Sequence, residues 1–448
     1  MPITLKFVDK IDAAPTTRLD LNDGTKWSFQ RSPSPDFSPP PLKRAVVSTL
    51  MRQGAKIAAS AYDNRVLKFD LVVQETTEDL LATELQKLNR ELDRGNNILK
   101  YQPINATNPV YFRTFRSPGY GLRIDSEGVN RLRLSLEILA EPFAYGQMVE
   151  VTGITVNNDP AAGSNGLYFE VTGVTGDVPT PVLLLINEVD VAQGALAVRR
   201  HGTPAIYFRQ AEALTQMTDT ASGAEAGHSG GSRSSTSFAT ASMQTRLTGA
   251  FPLSSPTSSV EYRGTYRVFA RVQKSVGGDD IRCRIKWAGN NLLVTGDTVT
   301  LGDTGTAQLV DLGLFTVPPF VDPIGGGYSN DPLAVQVDTI EFQAERVSGS
   351  GTLEWDYIVL LPADEELMLF DAGTATVVFD GPNDISYQGT LALVSGTAVV
   401  ERAGSIPLLA PNQTNRLYLL RNVAGANVIT DATDMILRYW PRHLYVRP

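Results

Sequence analysis

TTEDLLATELQKLNRELDR, residues 76–94, carries helical periodicity inside a chain otherwise written in strands and turns. Leu81, Leu85, Leu88 and Leu92 recur at the spacing that puts them on one helix face. Thr76 with Asp79 fits a capping box, and Gly95 followed by Asn96 fits a C-terminal stop. Just before it, RVLKFDLVV (65–73) alternates Leu67, Phe69, Leu71 and Val73 with other residues, the period of a half-buried strand. VYFRTF (110–115) and RLRLSLEIL (131–139) repeat that period afterwards. The pattern predicts one helix laid on a β-sandwich, and no catalytic residues stand out around it.

Composition agrees with an all-β class. The chain has 448 residues, with 38 Gly and 27 Pro, and its 42% hydrophobic content is enough for proper cores. That length suggests more than one domain. The 39 basic and 48 acidic side chains give a net charge of −9, and Arg199-Arg200 is the longest basic feature, so nucleic acid is not an expected partner. Cys283 is the single cysteine, which excludes an intramolecular disulfide and fits folding in a reducing cytoplasm. MPITLKFVDK lacks the layout of a signal peptide, and no apolar run reaches the ~20 residues of a membrane span.

Three regions follow from changes of character along the chain. Residues 1–145 form the first, a β-sandwich plus the helix. It includes SPSPDFSPPP (32–41), which cannot join a central strand and reads as an arm or surface loop. A boundary is expected at EPFAYG (141–146). Residues 146–203 and 367–448 are expected to pair as a discontinuous second barrel, galectin-like in type. Residues 204–366 are read as a jelly roll inserted between them, a tolerated arrangement when the first and last strands of the insert are neighbours. The runner-up order is a single larger sandwich over 146–365.

The first region resembles the N-terminal domain of phage distal tail proteins, which form the ring at the tip of a tail tube. The C-terminal segment adds a second likeness. Leu409, Pro411, Asn412 and Asn415, then Tyr439, Pro441, Arg442 and Leu444, are similar to a turn and closing strand of phage tail-tip proteins, although the expected glycine of the turn is missing.

In the middle region, YFRQAEAL (207–214) and EWDYIVLL (354–361), with SGGS and GTYRVFARV between them, resemble carbohydrate-binding modules of the jelly-roll type, from Pro204 to Asp364. That resemblance implies a structural calcium ion held by Glu212 and Asp356, hard oxygen donors suited to it. Read alone, they are a pair of exposed carboxylates. For glycan stacking the candidates are Tyr266, Trp287, Trp355 and Tyr357, with Arg284, Lys286 and Asn290 as donors near Trp287. Trp355 and Tyr357 are expected to share a strand face opposite Asp356. The bland reading of these aromatics is core filling. A long loop, PPFVDPIGGGYSND (318–331), departs from the modules.

Enzyme signatures fail on context. GHSGG (227–231) matches a nucleophile elbow around Ser229, but neither the strand before it nor the helix after it is indicated. The histidines, His201, His228 and His443, have no evident carboxylate partner. Asp279-Asp280 and Glu365-Glu366 read as solvated turn or linker pairs, and no metal-ligand motif is present.

The resemblances together imply a non-enzymatic structural protein of the virion tail tip, made in the host cytoplasm. It would form a homo-oligomeric, hexameric ring that joins the tail tube to tail-tip or hub proteins, with an outward module for host surface polysaccharide. The alternative is a peripheral minor tail protein or receptor-binding adhesin without a tube-closing role. A carbohydrate-active enzyme is the third reading, and it lacks an opposed pair of carboxylates.

Overall fold

The structure, a computed structural model, describes residues 3–12, 14–31, 35–48, 55–117, 123–152, 155–158, 166–186, 193–200, 207–225, 228, 231–250, 264–290, 292–317, 336–363, 365–371, 376–388, 398–421 and 435–446. Among them the chain is all-β, with antiparallel sheets and one α-helix. It divides into two compact units. The first is Met1–Glu150 with Val174–Thr180 and Arg438–Pro448; the second is Val151–Gly173 with Pro181–Leu437. No helix among the described residues is long and apolar enough to cross a membrane.

The first unit is built on one sheet in the order Thr17–Asp20, Thr4–Val8, Asn97–Gln102, Val110–Thr114, Arg131–Tyr145, Arg65–Gln74, Trp27–Gln30. The alternation read in Arg65–Gln74 sets its register: Leu67, Phe69 and Leu71 stand opposite Ile138, Leu136 and Leu134, all buried in one core. The helix Glu78–Leu92 lays Leu81, Leu88 and Leu92 into that core, with Leu85 partly buried beside them. Each fully buried leucine contributes roughly 1.5–3 kcal/mol. The cap sits one residue later than expected: Thr77, not Thr76, accepts from the Leu80 N–H. With Thr77 as the cap, Leu80 and not Asp79 stands three residues on, so a lone threonine cap replaces the expected box. Asn96 takes the left-handed turn after the helix, with φ 54°.

The first segment of this unit ends at Glu150, just past the Glu141–Gly146 stretch, and most of that stretch is strand. The strand Arg131–Tyr145 runs through it, shifting register between Ala140 and Ala144. Pro142, which lacks a ladder N–H, falls inside that shift and gives its carbonyl to the buried Arg65 at 2.7 Å. Residues 438–446 belong to this unit. Arg442–His443 pairs with the end of the long strand, Trp440 donates to the Ile11 carbonyl at 3.3 Å, and Val446 enters the core.

The second unit holds two sheet pairs. In one, Thr155–Asn158, Gly166–Val171, Asn415–Arg421, Gln193–Arg199, Glu366–Asp371 and Glu401–Ala403 follow one another across a sheet, so strands from both sides of residues 204–366 interleave. In the other, one sheet runs Thr220–Ala224, Ser232–Thr236, Leu353–Pro362, Gly264–Lys274, Gln308–Val317. It faces Thr215–Gln216, Gln244–Ala250, Gln336–Ser348, Asp280–Asn290, Leu292–Thr295 across a shared apolar core. The incoming strand Tyr207–Gln210 pairs with the outgoing strand Leu353–Pro362. Arg200 ties that neck: its guanidinium donates to Glu365, Glu366 and the Leu408 carbonyl.

Candidate functional site

Chemistry-bearing side chains gather on the outgoing strand Leu353–Pro362, buried along its whole length. Its register against Gly264–Lys274 shifts between Arg271 and Val272, so Tyr357 faces Arg271 while Trp355 faces Val272. Asp356 is the extra residue of this bulge, and the parity of the strand changes there. Leu353 and Trp355 point into the jelly-roll core before it; Ile358 and Leu360 do so after it. Tyr357 lies on the other side, against Phe208 with ring centroids 5.6 Å apart. Trp355 and Tyr357 therefore do not share a face, contrary to the plain alternation read from sequence.

None of the four aromatic candidates offers a ring to solvent. Trp355 and Tyr357 are 0% exposed, Tyr266 1% and Trp287 8%. The Trp355 indole donates to Thr236 Oγ1 at 3.1 Å, Trp287 meets Phe315 edge-on at 5.0 Å, and Arg199 donates to the Tyr266 hydroxyl at 3.4 Å. Arg284 and Lys286 are engaged by Gln343 at 2.7 Å and Glu341 at 2.8 Å. The Asn290 side chain lies outside the described residues. Packing between two sheets takes the faces that a sugar would need.

Asp356, 1% exposed, forms an ion pair with Arg271, itself 4% exposed. Glu212 lies in the single turn Ala211–Ala213, not on a strand. Burial raises its carboxyl above the ordinary value, and the nearby charge of Asp356 adds to that. Its Oε2 is buried without a hydrogen-bond partner among the described residues. That orphaned oxygen favours a cation; the remainder of the donor set does not. A divalent ion on Asp356 would sit beside the Arg271 guanidinium, and like charges about 4 Å apart repel by several kcal/mol even at an effective dielectric of ~20. No group of three or more metal-ligating side chains occurs among the described residues. The residues present do not fit calcium.

His228 and Glu354 stand near by. His228 Nε2 is 3.6 Å from Glu354 Oε2, which also meets Arg233 through its other oxygen's ion pair. Burial lowers the His228 pKa below the ordinary value, with Asp356 opposing and Arg271 and Arg233 assisting the shift. His443 Nδ1 is 3.8 Å from Asp177. Two histidines thus have carboxylate neighbours that sequence distance hid. His201, Ser229 and the loop 318–331 lie outside the described residues, as do positions 32–34 of the proline-rich stretch. Asp279 is buried and accepts from the Gly351 N–H at 2.5 Å while Asp280 stays partly exposed, and Glu365 and Glu366 bind Arg200.

The first unit offers a different kind of surface. Leu42–Ser48 and Ala55–Tyr62 form a hairpin of 7 and 8 residues that is a sheet of its own. Leu42 and Tyr62, opposite one another, are exposed, and Tyr62 meets Phe143 edge-on at 5.5 Å. Beyond it Val66 and Leu139 pair across the sheet with both side chains exposed, and exposed Phe115 donates its N–H to the Leu139 carbonyl.

Solved structures resemble parts of this arrangement. The Dit protein (gp 19.1) of phage SPP1, described as a paradigm of the hub adsorption apparatus in phages infecting Gram-positive bacteria, matches with 16% identity and a TM-score of 0.31, over 45% of this chain and 72% of that one. The phage P2 baseplate in its activated conformation with Ca matches with 9% identity and a TM-score of 0.23, over 81% and 99% of the two chains. An exo-β-1,3-galactanase from Phanerochaete chrysosporium, solved with galactose, matches with 9% identity and a TM-score of 0.18, over 65% and 54%. These are likenesses to phage tail proteins and a galactanase. No family model and no curated protein sequence matches the chain.

Sequence reasoning missed Arg271, Arg246 and Glu84. Arg246 is fully buried; its guanidinium donates to the carbonyls of Ala344, Thr218, Thr240 and Ser242 and to Asp219, and it stacks over Phe238 at 5.0 Å. Its partners lie up to 98 positions away. A charged residue at an inward strand position was the available signal.

Proposed function

We propose that the chain is a structural component of a phage tail tip, forming a closed homo-oligomeric ring, six-fold in the simplest case, between the tail tube and tail-tip or hub proteins. The observation that carries this reading is the hairpin 42–62. A two-stranded sheet is marginal in water by itself, and this one has exposed Leu42 and Tyr62 at its base with Val66, Leu139 and Phe115 following. Covering such strands with the next subunit buries apolar surface and removes a free edge, and cyclic symmetry repeats the gain at each interface.

The work in this proposal is assembly, not turnover, and the location is the virion. Residues 204–366 form the part available for contact with a host surface. Polysaccharide binding there has to come from groups other than Tyr266, Trp287, Trp355 and Tyr357, whose rings the core occupies.

Replacing residues 43–61 by a short Gly-Ser link tests the reading. The expected outcome is a chain that keeps its unfolding midpoint and loses its ring in light scattering and negative-stain images. Retention of the ring would remove the hairpin from the account. A glycan array with the intact chain tests the outward module separately.

A further inference from the structure

We infer that Arg271 is the fixed internal cation of the jelly roll, taking at Asp356 the place that a calcium ion would have, so that this module folds without metal. The geometry is specific. Arg271 stands on Gly264–Lys274 opposite Tyr357, at the point where the register shifts and Asp356 is the added residue. The bulge turns the Asp356 carboxylate to the guanidinium, and the two side chains are 1% and 5% exposed. A buried carboxylate needs a paired positive charge; here the chain supplies it covalently, from the neighbouring strand.

The surroundings complete the charge pattern. Arg233 holds Glu354, and His228 is 3.6 Å from the same carboxylate. Glu212, in the turn Ala211–Ala213, has its carboxyl raised above the ordinary value by burial and by the Asp356 charge. The ion pair also pins the bulge, and with it the parity that sends Trp355 inward and Tyr357 to the opposite side.

The test is thermal unfolding of the full chain in EDTA and in millimolar CaCl2, with calorimetric titration of CaCl2 into chelator-stripped protein. The inference expects the same midpoint in both solutions and no binding heat. Arg271→Met should lower the midpoint by several degrees, because the buried Asp356 carboxylate loses the guanidinium that faces it. Adding Asp356→Leu to that variant should recover a good part of the loss, as replacement of both partners removes the uncompensated charge. A midpoint that rises with calcium in the unaltered chain would overturn the inference, as would an Arg271→Met chain as stable as the original. Where Arg271→Met does not fold, the calcium response of the unaltered chain and the midpoint of the double variant decide.

Discussion

The Trp27 indole donates to the buried Glu84 carboxylate at 3.2 Å, joining the edge strand of the first unit to the middle of its helix. Lys26 and Lys87 reach the same carboxylate at 3.2 and 2.8 Å. Burial alone would push this carboxyl up; the hydrogen bonds from Lys87, Trp27 and Lys26 outweigh it and hold it below the ordinary value. The folded pKa is depressed, so the stability Glu84 contributes is present above its unfolded pKa and is lost as pH falls through the folded one. Glu84→Gln should cost about 1–3 kcal/mol at pH 7, discounted toward the lower end because both lysines are half exposed. Denaturant midpoints between neutral pH and pH 3 check this: the gap between the two chains should narrow as the solution becomes acid.

Arg246 should be among the least replaceable residues of the second unit. Arg246→Met strands the carbonyls of Thr218, Thr240, Ser242 and Ala344 and the Asp219 carboxylate, at a cost of about 3–5 kcal/mol. Arg246→Lys should recover little, because an ammonium cannot fork to five acceptors around a planar centre. Urea unfolding followed by tryptophan fluorescence, with Trp287 and Trp355 in the same core, reads the loss.

The turn before Asn415–Arg421 makes a paired prediction. Asn412 stands where a glycine was expected and adopts φ 57°, a conformation asparagine tolerates. Asn412→Gly should therefore be close to neutral, and Asn412→Val should cost about 1–2 kcal/mol. Asn415 is fully buried and closes the turn on both backbone groups of Ala410, at 2.8 and 3.0 Å. Asn415→Ala should cost roughly 1–3 kcal/mol. Thermal midpoints of the three variants give the order.

Trp355→Ala and Trp287→Ala should each destabilise the jelly roll by about 3–5 kcal/mol, in the presence or absence of any saccharide. A variant that folded as well as the original and lost only glycan binding would contradict the core placement of these rings.

These cases show what was legible in the residues and what was not. The leucine stripe 81–92 and the alternation in 65–73 declared themselves, because burial on one face writes a period into the sequence. The change of parity at Asp356 left no such mark, since a bulge adds one residue without changing residue type. The hydrogen-bond partners of Glu84, Arg246 and Arg271 are supplied by chain up to 98 positions away, and local reading cannot pair them. The aromatic candidates had the right residue types; whether a strand ring is core or platform depends on the second sheet, which only the fold brings over it.

The most direct test of the central claim is the molar mass of the intact chain by light scattering, with negative-stain images of the same peak. The account predicts a mass six times that of one chain and closed rings of six-fold symmetry. A monomer at every concentration, with no rings in the images, would contradict it.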